Sequence, residues 1–233
     1  MGKVEMTDTV NQTSEEQKQR LREIGDAARA SFARTHDARE QAYKLSRDVV
    51  RNSANCIRAS HRGDFEQAQQ LLDTVAELVG QMETVSKDHP AVYYAGFIED
   101  AQKEYVEATA TLAFTRGTQL AGPEQLNVGP APYLNGLSEV VGELRRYILD
   151  SFRKDDFSRC EELLGLMDEV YTVLVSIDFP EAVTRGLRRS TDMARGILER
   201  TRADMTVALR QRHLEQNLNE FREQLLNFQN KDG

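Results

Sequence analysis

Apolar positions recur along most of the chain with the period of an α-helix rather than of a strand. From about Ser14 to about His61 the apolar or small residues include Leu21, Ile24, Ala27, Ala28, Phe32, Ala42, Leu45, Val49 and Ile57, which predicts one long helix. His61-Arg62-Gly63-Asp64 punctuates it. A second helix is expected from about Asp64 to Val85, with Ala68, Leu71, Leu72, Val75, Leu78 and Val79 on its inner face. Pro90 opens a third, because proline suits a helix's first turn. Between Pro90 and Arg116, Tyr94, Ile98, Ala101, Tyr105, Ala108 and Leu112 repeat with spacings 4-3-4-3-4, a buried seam of the coiled-coil type. Residues 117–132, with three glycines and three prolines, read as the longest loop. A fourth helix is expected from about Tyr133 to Phe152, with Leu137, Val141, Leu144 and Ile148 as its seam. A fifth runs from about Phe157 to Ile177, and a sixth from Pro180 to about Arg212. A short helix over Leu214 to Phe228 continues it or follows it. Residues 1–13 are polar, lack periodicity and are expected to form a disordered tail. The expectation is an all-α bundle of six to seven helices over residues 14–230, with enough apolar surface to oligomerise.

Composition narrows the class. Glycine and proline together are 19 of 233 residues, too few for the frequent turns of a β-sandwich or barrel. Neither a G-x-x-x-x-G-K-[ST] nor a G-x-G-x-x-G motif occurs, which argues against P-loop and Rossmann enzymes. No run approaches the roughly 18 apolar residues of a membrane span, and the first residues show no secretory h-region. Two cysteines, Cys56 and Cys160, are too few for a disulfide framework or a four-thiolate zinc site, so reduced thiols in a cytoplasmic protein are expected.

The net charge of −8 disfavours nucleic acid as a partner, but its distribution does not. Residues 20–62 hold ten basic side chains against five acids, and residues 185–212 hold eight arginines against three acids. Arginine outnumbers lysine 23 to 7, a bias that suits bidentate phosphate binding and that arginine-rich codon usage also produces.

One cluster carries possible chemistry. Glu104 and Glu107 lie three apart on the third helix, beside its seam, and Glu139 and Glu143 lie four apart on the fourth, roughly opposite the Leu137/Val141 seam. Carboxylates at these spacings point the same way and repel. A cation held between the pairs would relieve that repulsion, and oxygen donors at this charge density suit Mg²⁺ or Mn²⁺ rather than zinc. Solvated helix faces produce the same spacing, so both readings stand on spacing alone. A di-iron site fails, since no glutamate precedes any of the four histidines by three. The Glu-x-x-Asp partner of helical nucleotide pyrophosphatases is also missing after Glu139 and Glu143. His61 has a capping role as its simplest reading, and Tyr94 falls on the core seam.

Several short segments, in order, resemble the translin and translin-associated factor X family. They are Lys44-Leu45-Ser46-Arg47-Asp48 with His61-Arg62; Glu104-Tyr105-Val106-Glu107-Ala108; Tyr133-Leu134-x-Gly136 with Gly142-Glu143-Leu144; and Asp156-Phe157-Ser158-Arg159. The resemblance spans roughly residues 30–210. It implies an all-helical subunit of a hollow, octamer-like shell that binds single-stranded or short duplex nucleic acid. The factor X subunit carries a Mg²⁺-dependent endoribonuclease site, and its carboxylates match Glu104, Glu107 and Glu139, with Glu143 matching a neighbouring acid. Glu139 stands where the factor X pattern has aspartate. Translin's basic and histidine cluster is not matched by Ala95-Gly96-Phe97-Ile98-Glu99.

The resemblance therefore implies a homo-oligomeric Mg²⁺-dependent endoribonuclease, Mn²⁺ being an equivalent cofactor. Glu104, Glu107 and Glu139 would hold the metal and serve catalysis, with Glu143 as a direct or water-mediated ligand. Arg146, three residues after Glu143, and Arg51, Arg58, Arg62, Arg188 and Arg189 would contact RNA. The alternative is a non-catalytic translin-like shell that binds single-stranded RNA or DNA, and a third reading is a helical scaffold without nucleic acid.

Overall fold

The computed structural model describes the backbone of residues 2–229 and the side chains of residues 15–224, 226 and 227. Six long helices carry the fold: α1 (Gly2–Arg62), α2 (Phe65–Ser86), α4 (Gly96–Arg116), α6 (Pro130–Phe152), α7 (Cys160–Val175) and α9 (Leu187–Gln229). Three single-turn helices join them: α3 (Pro90–Tyr93), α5 (Pro123–Leu126) and α8 (Glu181–Thr184). Among the described residues there is no strand. The all-α expectation holds.

The helices form two groups of three. One comprises α1, α2 and α4, the other α6, α7 and α9, and the groups meet where α4 packs on α6. Gly63, at φ +76°, reverses the chain between α1 and α2, and the Asp64 carboxylate caps α2 by accepting from the Gln67 N–H. Tyr43 on α1 stacks edge-on against Phe97 at the start of α4, while Cys56 and Ile57 meet Ala108 and Leu112 further along both. The two helices therefore run in the same direction. Arg159, just past α6, donates to the Phe114 carbonyl at 2.9 Å near the end of α4, so α6 runs that way too. Ser190 on α9 bonds Asn135 on α6, and Arg145 further along α6 bonds Thr201 and Asp204 further along α9. The helices α1, α4, α6 and α9 are thus parallel, and α2 and α7 return between them.

The structure departs from the sequence pattern at four places. The third expected helix is broken: Tyr94 closes α3, Ala95 adopts an extended conformation at ψ 137°, and α4 starts afresh at Gly96. Tyr94 consequently lies 66% exposed instead of on the core seam. The rest of that seam is buried as expected, but α4 is buried on every side from Tyr105 to Thr115, because alanines and threonines let neighbours close around it. Past Pro180, Arg185 and Gly186 both take positive φ, so α8 stops after one turn and α9 begins at Leu187. Finally, helical backbone reaches back to Gly2, across the stretch expected as a tail.

The periodic residues Leu21, Ile24 and Phe32 are exposed although their spacing matches a core stripe. At 1.5 Å per residue, 61 residues of α1 extend about 92 Å, against about 33 Å for the 22 residues of α2. The first half of α1 therefore projects beyond the bundle. Leu214, Leu218 and Phe221 are similarly exposed on the last part of α9, which leaves the bundle at the opposite end.

Candidate metal centre and nucleic-acid interface

The seam between α4 and α6 is unusually close at one point. A Cβ placed on Gly136 would lie 2.6 Å from the Lys103 carbonyl oxygen and 2.7 Å from Val106 Cβ. Only glycine permits this approach. Three residues further along α6, Glu139 is carried against Lys103, Glu104 and Glu107 of α4. Glu104, Glu107 and Glu139 each bring a carboxylate oxygen into a group whose members all lie within 4.8 Å of one another. The face of α6 expected to lie away from the packed seam is thus half-buried against α4, because α6 is sandwiched between α4 and α9.

The electrostatics of this group are strained. Glu107 is buried at 9% exposure, and burial pushes its pKa up to about 8, with the charges of Glu139, Glu104 and Glu143 adding to the shift. Burial and Glu139 also raise the pKa of Glu104. Lys103 is the cation at the site: its Nζ donates to Glu139 Oε1 at 2.8 Å. Burial opposes the charge of Lys103, but the hydrogen bond to Glu139 and the charges of Glu139, Glu104 and Asp100 outweigh it, so its pKa rises.

Glu143 behaves differently from the other three. Its carboxylate pairs with the His61 ring Nε2 from the last turn of α1, and Arg146 lies 3.7 Å away on the next turn of α6. The hydrogen bond with His61 is the main cause of a lowered pKa, which burial opposes and the charge of Arg146 assists. His61 is 5% exposed, and its Nδ1 is buried without a partner. The ring therefore does not serve as a helix cap; it ties the end of α1 to α6.

Donor chemistry at the cluster fits a hard divalent cation. The donors are oxygens only, they come from two rigid helices, and the most buried of them resists ionisation unless positive charge arrives. Two residues of the site, Lys103 and His61, escape sequence reasoning as contributors. Lys103 pairs across helices 36 positions apart, and no local spacing encodes that.

The candidate RNA contacts are dispersed. Arg51, Arg58 and Arg62 are exposed on α1 and share a face through spacings of seven and four. They lean on Asp48, Asn55 and Gln67 respectively. Arg58 and Arg62 flank His61 and so sit at the end of α1 nearest the carboxylates. Arg146 is exposed beside Glu143. Arg188 and Arg189 are exposed at the start of α9, where Arg188 lines a separate cleft of about 620 Å³ between the end of α7 and α9. The cleft's lining includes none of the four glutamates. Among the described residues no helix is long and apolar enough to cross a membrane.

Comparison with known proteins places the chain. It is 28% identical over 188 residues to MJ0175, an uncharacterised protein of Methanocaldococcus jannaschii, covering 80% of this chain and 83% of that protein. The solved structure of AfC3PO in complex with duplex RNA superposes with a TM-score of 0.71 at 32% identity, over 78% of this chain and 95% of the other. The crystal structure of AfC3PO gives 0.73 at 33% over the same shares. Apo-NeC3PO shares the fold at 0.72 and 19% identity, over 78% of this chain and 96% of that one. The translin family model matches residues 4–200, which take in nearly all of α1, α2 to α8, the first turns of α9 and all four glutamates. The chain belongs to the translin family.

Proposed function

We propose that the chain is a factor X-like catalytic member of this family, a homo-oligomeric Mg²⁺-dependent endoribonuclease acting on single-stranded or short duplex RNA. The observation that carries the reading is the convergence of Glu104, Glu107 and Glu139 within 4.8 Å across the α4–α6 seam. The AfC3PO structure with duplex RNA supports RNA as the ligand class. Exposed apolar side chains on the projecting parts of α1 and α9, Phe32 and Phe221 among them, support assembly into an octamer-like shell. Action in the cytoplasm, with Cys56 and Cys160 as free buried thiols, belongs to the same reading.

Glu104, Glu107 and Glu139 would hold the cation. When bound, Mg²⁺ or Mn²⁺ would polarise a phosphate oxygen and make a neighbouring water more acidic. Glu143, kept ionised by His61 and Arg146, would act through water, since its commitment to His61 favours the water-mediated role over direct ligation. Arg58, Arg62 and Arg146 would hold flanking phosphates, with Arg51 extending the track along α1 and Arg188 and Arg189 reaching a more distant part of the strand. Glu139, one methylene longer than the aspartate of the factor X pattern, still brings a carboxylate oxygen into the cluster.

The Lys103–Glu139 pair favours one competing reading. An internal ammonium already partly neutralises the cluster, as a non-catalytic shell binding single-stranded RNA or DNA would tolerate. A Glu104→Ala/Glu107→Ala double variant decides between them. The nuclease reading expects metal-dependent cleavage to vanish while RNA binding persists. Cleavage at the wild-type rate would refute it.

A further inference from the structure

We infer that Lys103, by pairing with Glu139, limits the carboxylate cluster to a single divalent ion. The inference rests on the metal reading proposed above. Its basis is the α4–α6 seam itself. Lys103 directly precedes Glu104, and its Nζ reaches across to Glu139 Oε1 at 2.8 Å. Both side chains are more than two-thirds buried, at 25% and 31% exposure, so the pair is not a freely screened surface bridge. The backbone carbonyl of the same residue is the atom that α6 approaches most closely at Gly136. Lys103 therefore has its main chain fixed by the helix contact and its ammonium fixed on Glu139.

The charge balance follows. With Glu143 paired to His61 and Arg146, the other three carboxylates carry −3 when ionised, and the ammonium brings that group to −2. One divalent cation then makes it neutral, and a second would leave it at +2 with an ammonium in direct contact. Two-metal phosphate sites place their ions about 3.5–4 Å apart and need bridging carboxylate oxygens between them. Here Lys103 donates to Glu139 Oε1, which leaves that oxygen less available to bridge two ions. The ammonium thus leaves the cluster the charge to neutralise one ion.

The test counts Mn²⁺ ions bound per chain by electron paramagnetic resonance, with no RNA and no turnover, on the full-length wild type, Lys103→Met and Lys103→Arg. The wild type is expected to saturate at one ion. Lys103→Met should bind its first ion about ten-fold tighter or more, because a positive charge in a poorly screened site is gone, and should admit a second ion at saturation. Lys103→Arg should restore one ion, a rescue that a purely structural role for the stem would not distinguish from Met. Circular dichroism matched to wild type accompanies each variant, and Lys103→Gln serves if Met perturbs the fold. One ion in Lys103→Met with wild-type affinity would overturn the inference and leave the metal reading standing. A wild type that binds no Mn²⁺ would overturn the metal reading, and this inference with it.

Discussion

Replacing Gly136 by alanine tests whether the α4–α6 approach creates the carboxylate group. The added Cβ would meet Lys103 O at 2.6 Å, Val106 Cβ at 2.7 Å and Val106 Cγ1 at 2.9 Å. The first two of these atoms are main chain or attached directly to it and cannot swing aside. Regaining carbon contacts of about 3.5–4.0 Å requires α6 to retreat by roughly 1 Å. Overpacking of this kind costs about 1–3 kcal/mol. Two rigid contacts put Gly136→Ala toward the upper end, while the helix gains about 1 kcal/mol from losing a mid-helix glycine. The net loss is about 1–2 kcal/mol, and at roughly 2–4 °C per kcal/mol for a chain of this size Tm falls by several degrees. Mg²⁺ ligation demands oxygens at about 2.0–2.1 Å, so a 1 Å retreat of Glu139 should weaken metal affinity at least about ten-fold. Differential scanning calorimetry and a metal titration measure both. Gly142→Ala on the same helix is the control: its Cβ would meet only Ile197 Cδ1, at an ordinary 3.9 Å, and Tm should stay level or rise. Wild-type Tm and metal affinity in Gly136→Ala would refute the account of how the site is built.

Two further outcomes are expected. Glu107 holds its proton more tightly folded than unfolded, so the folded state binds more protons between the ordinary pKa of 4.5 and about 8. Metal-free stability must then fall as pH rises through that window, by an amount on the order of a few kcal/mol at most because the cluster titrates together. Mg²⁺ should stabilise most at the upper end, and denaturant melts of Glu107→Gln should lose most of the pH slope. For binding, Arg58→Ala/Arg62→Ala should weaken affinity for single-stranded RNA and flatten the plot of log K against log salt by about 1.4, two phosphate contacts at about 0.7 each; an unchanged slope in fluorescence anisotropy would remove both arginines from the interface.

Much of this molecule was legible from residue types and spacing. Helical periodicity located all six long helices, and the glycine-proline stretch after Arg116 marked the loop that lets α4 and α6 run parallel. The breaks at Ala95 and Arg185 were not legible, because they rest on backbone dihedrals that these residue types do not demand. Periodicity also could not tell Leu21 and Phe32, outside the bundle, from Val49, inside it. A helix stripe records that a face is apolar, not what covers it. At the site, the carboxylate spacings named Glu104, Glu107, Glu139 and Glu143 together. Only three-dimensional placement separated Glu143, paired with His61, from the group of three. Lys103 was invisible because its partner lies on another helix, and Gly136 stood out only as part of a motif, because its packing role is the atom it lacks.

The most direct test of the central claim is cleavage of a labelled single-stranded RNA by the purified full-length protein under three conditions. These are wild type with Mg²⁺, wild type with EDTA, and Glu107→Gln with Mg²⁺. Cleavage is expected in the first alone, with RNA bound in all three. RNA retained but uncut throughout would contradict it, leaving a nucleic-acid-binding shell whose four glutamates form a polar seam.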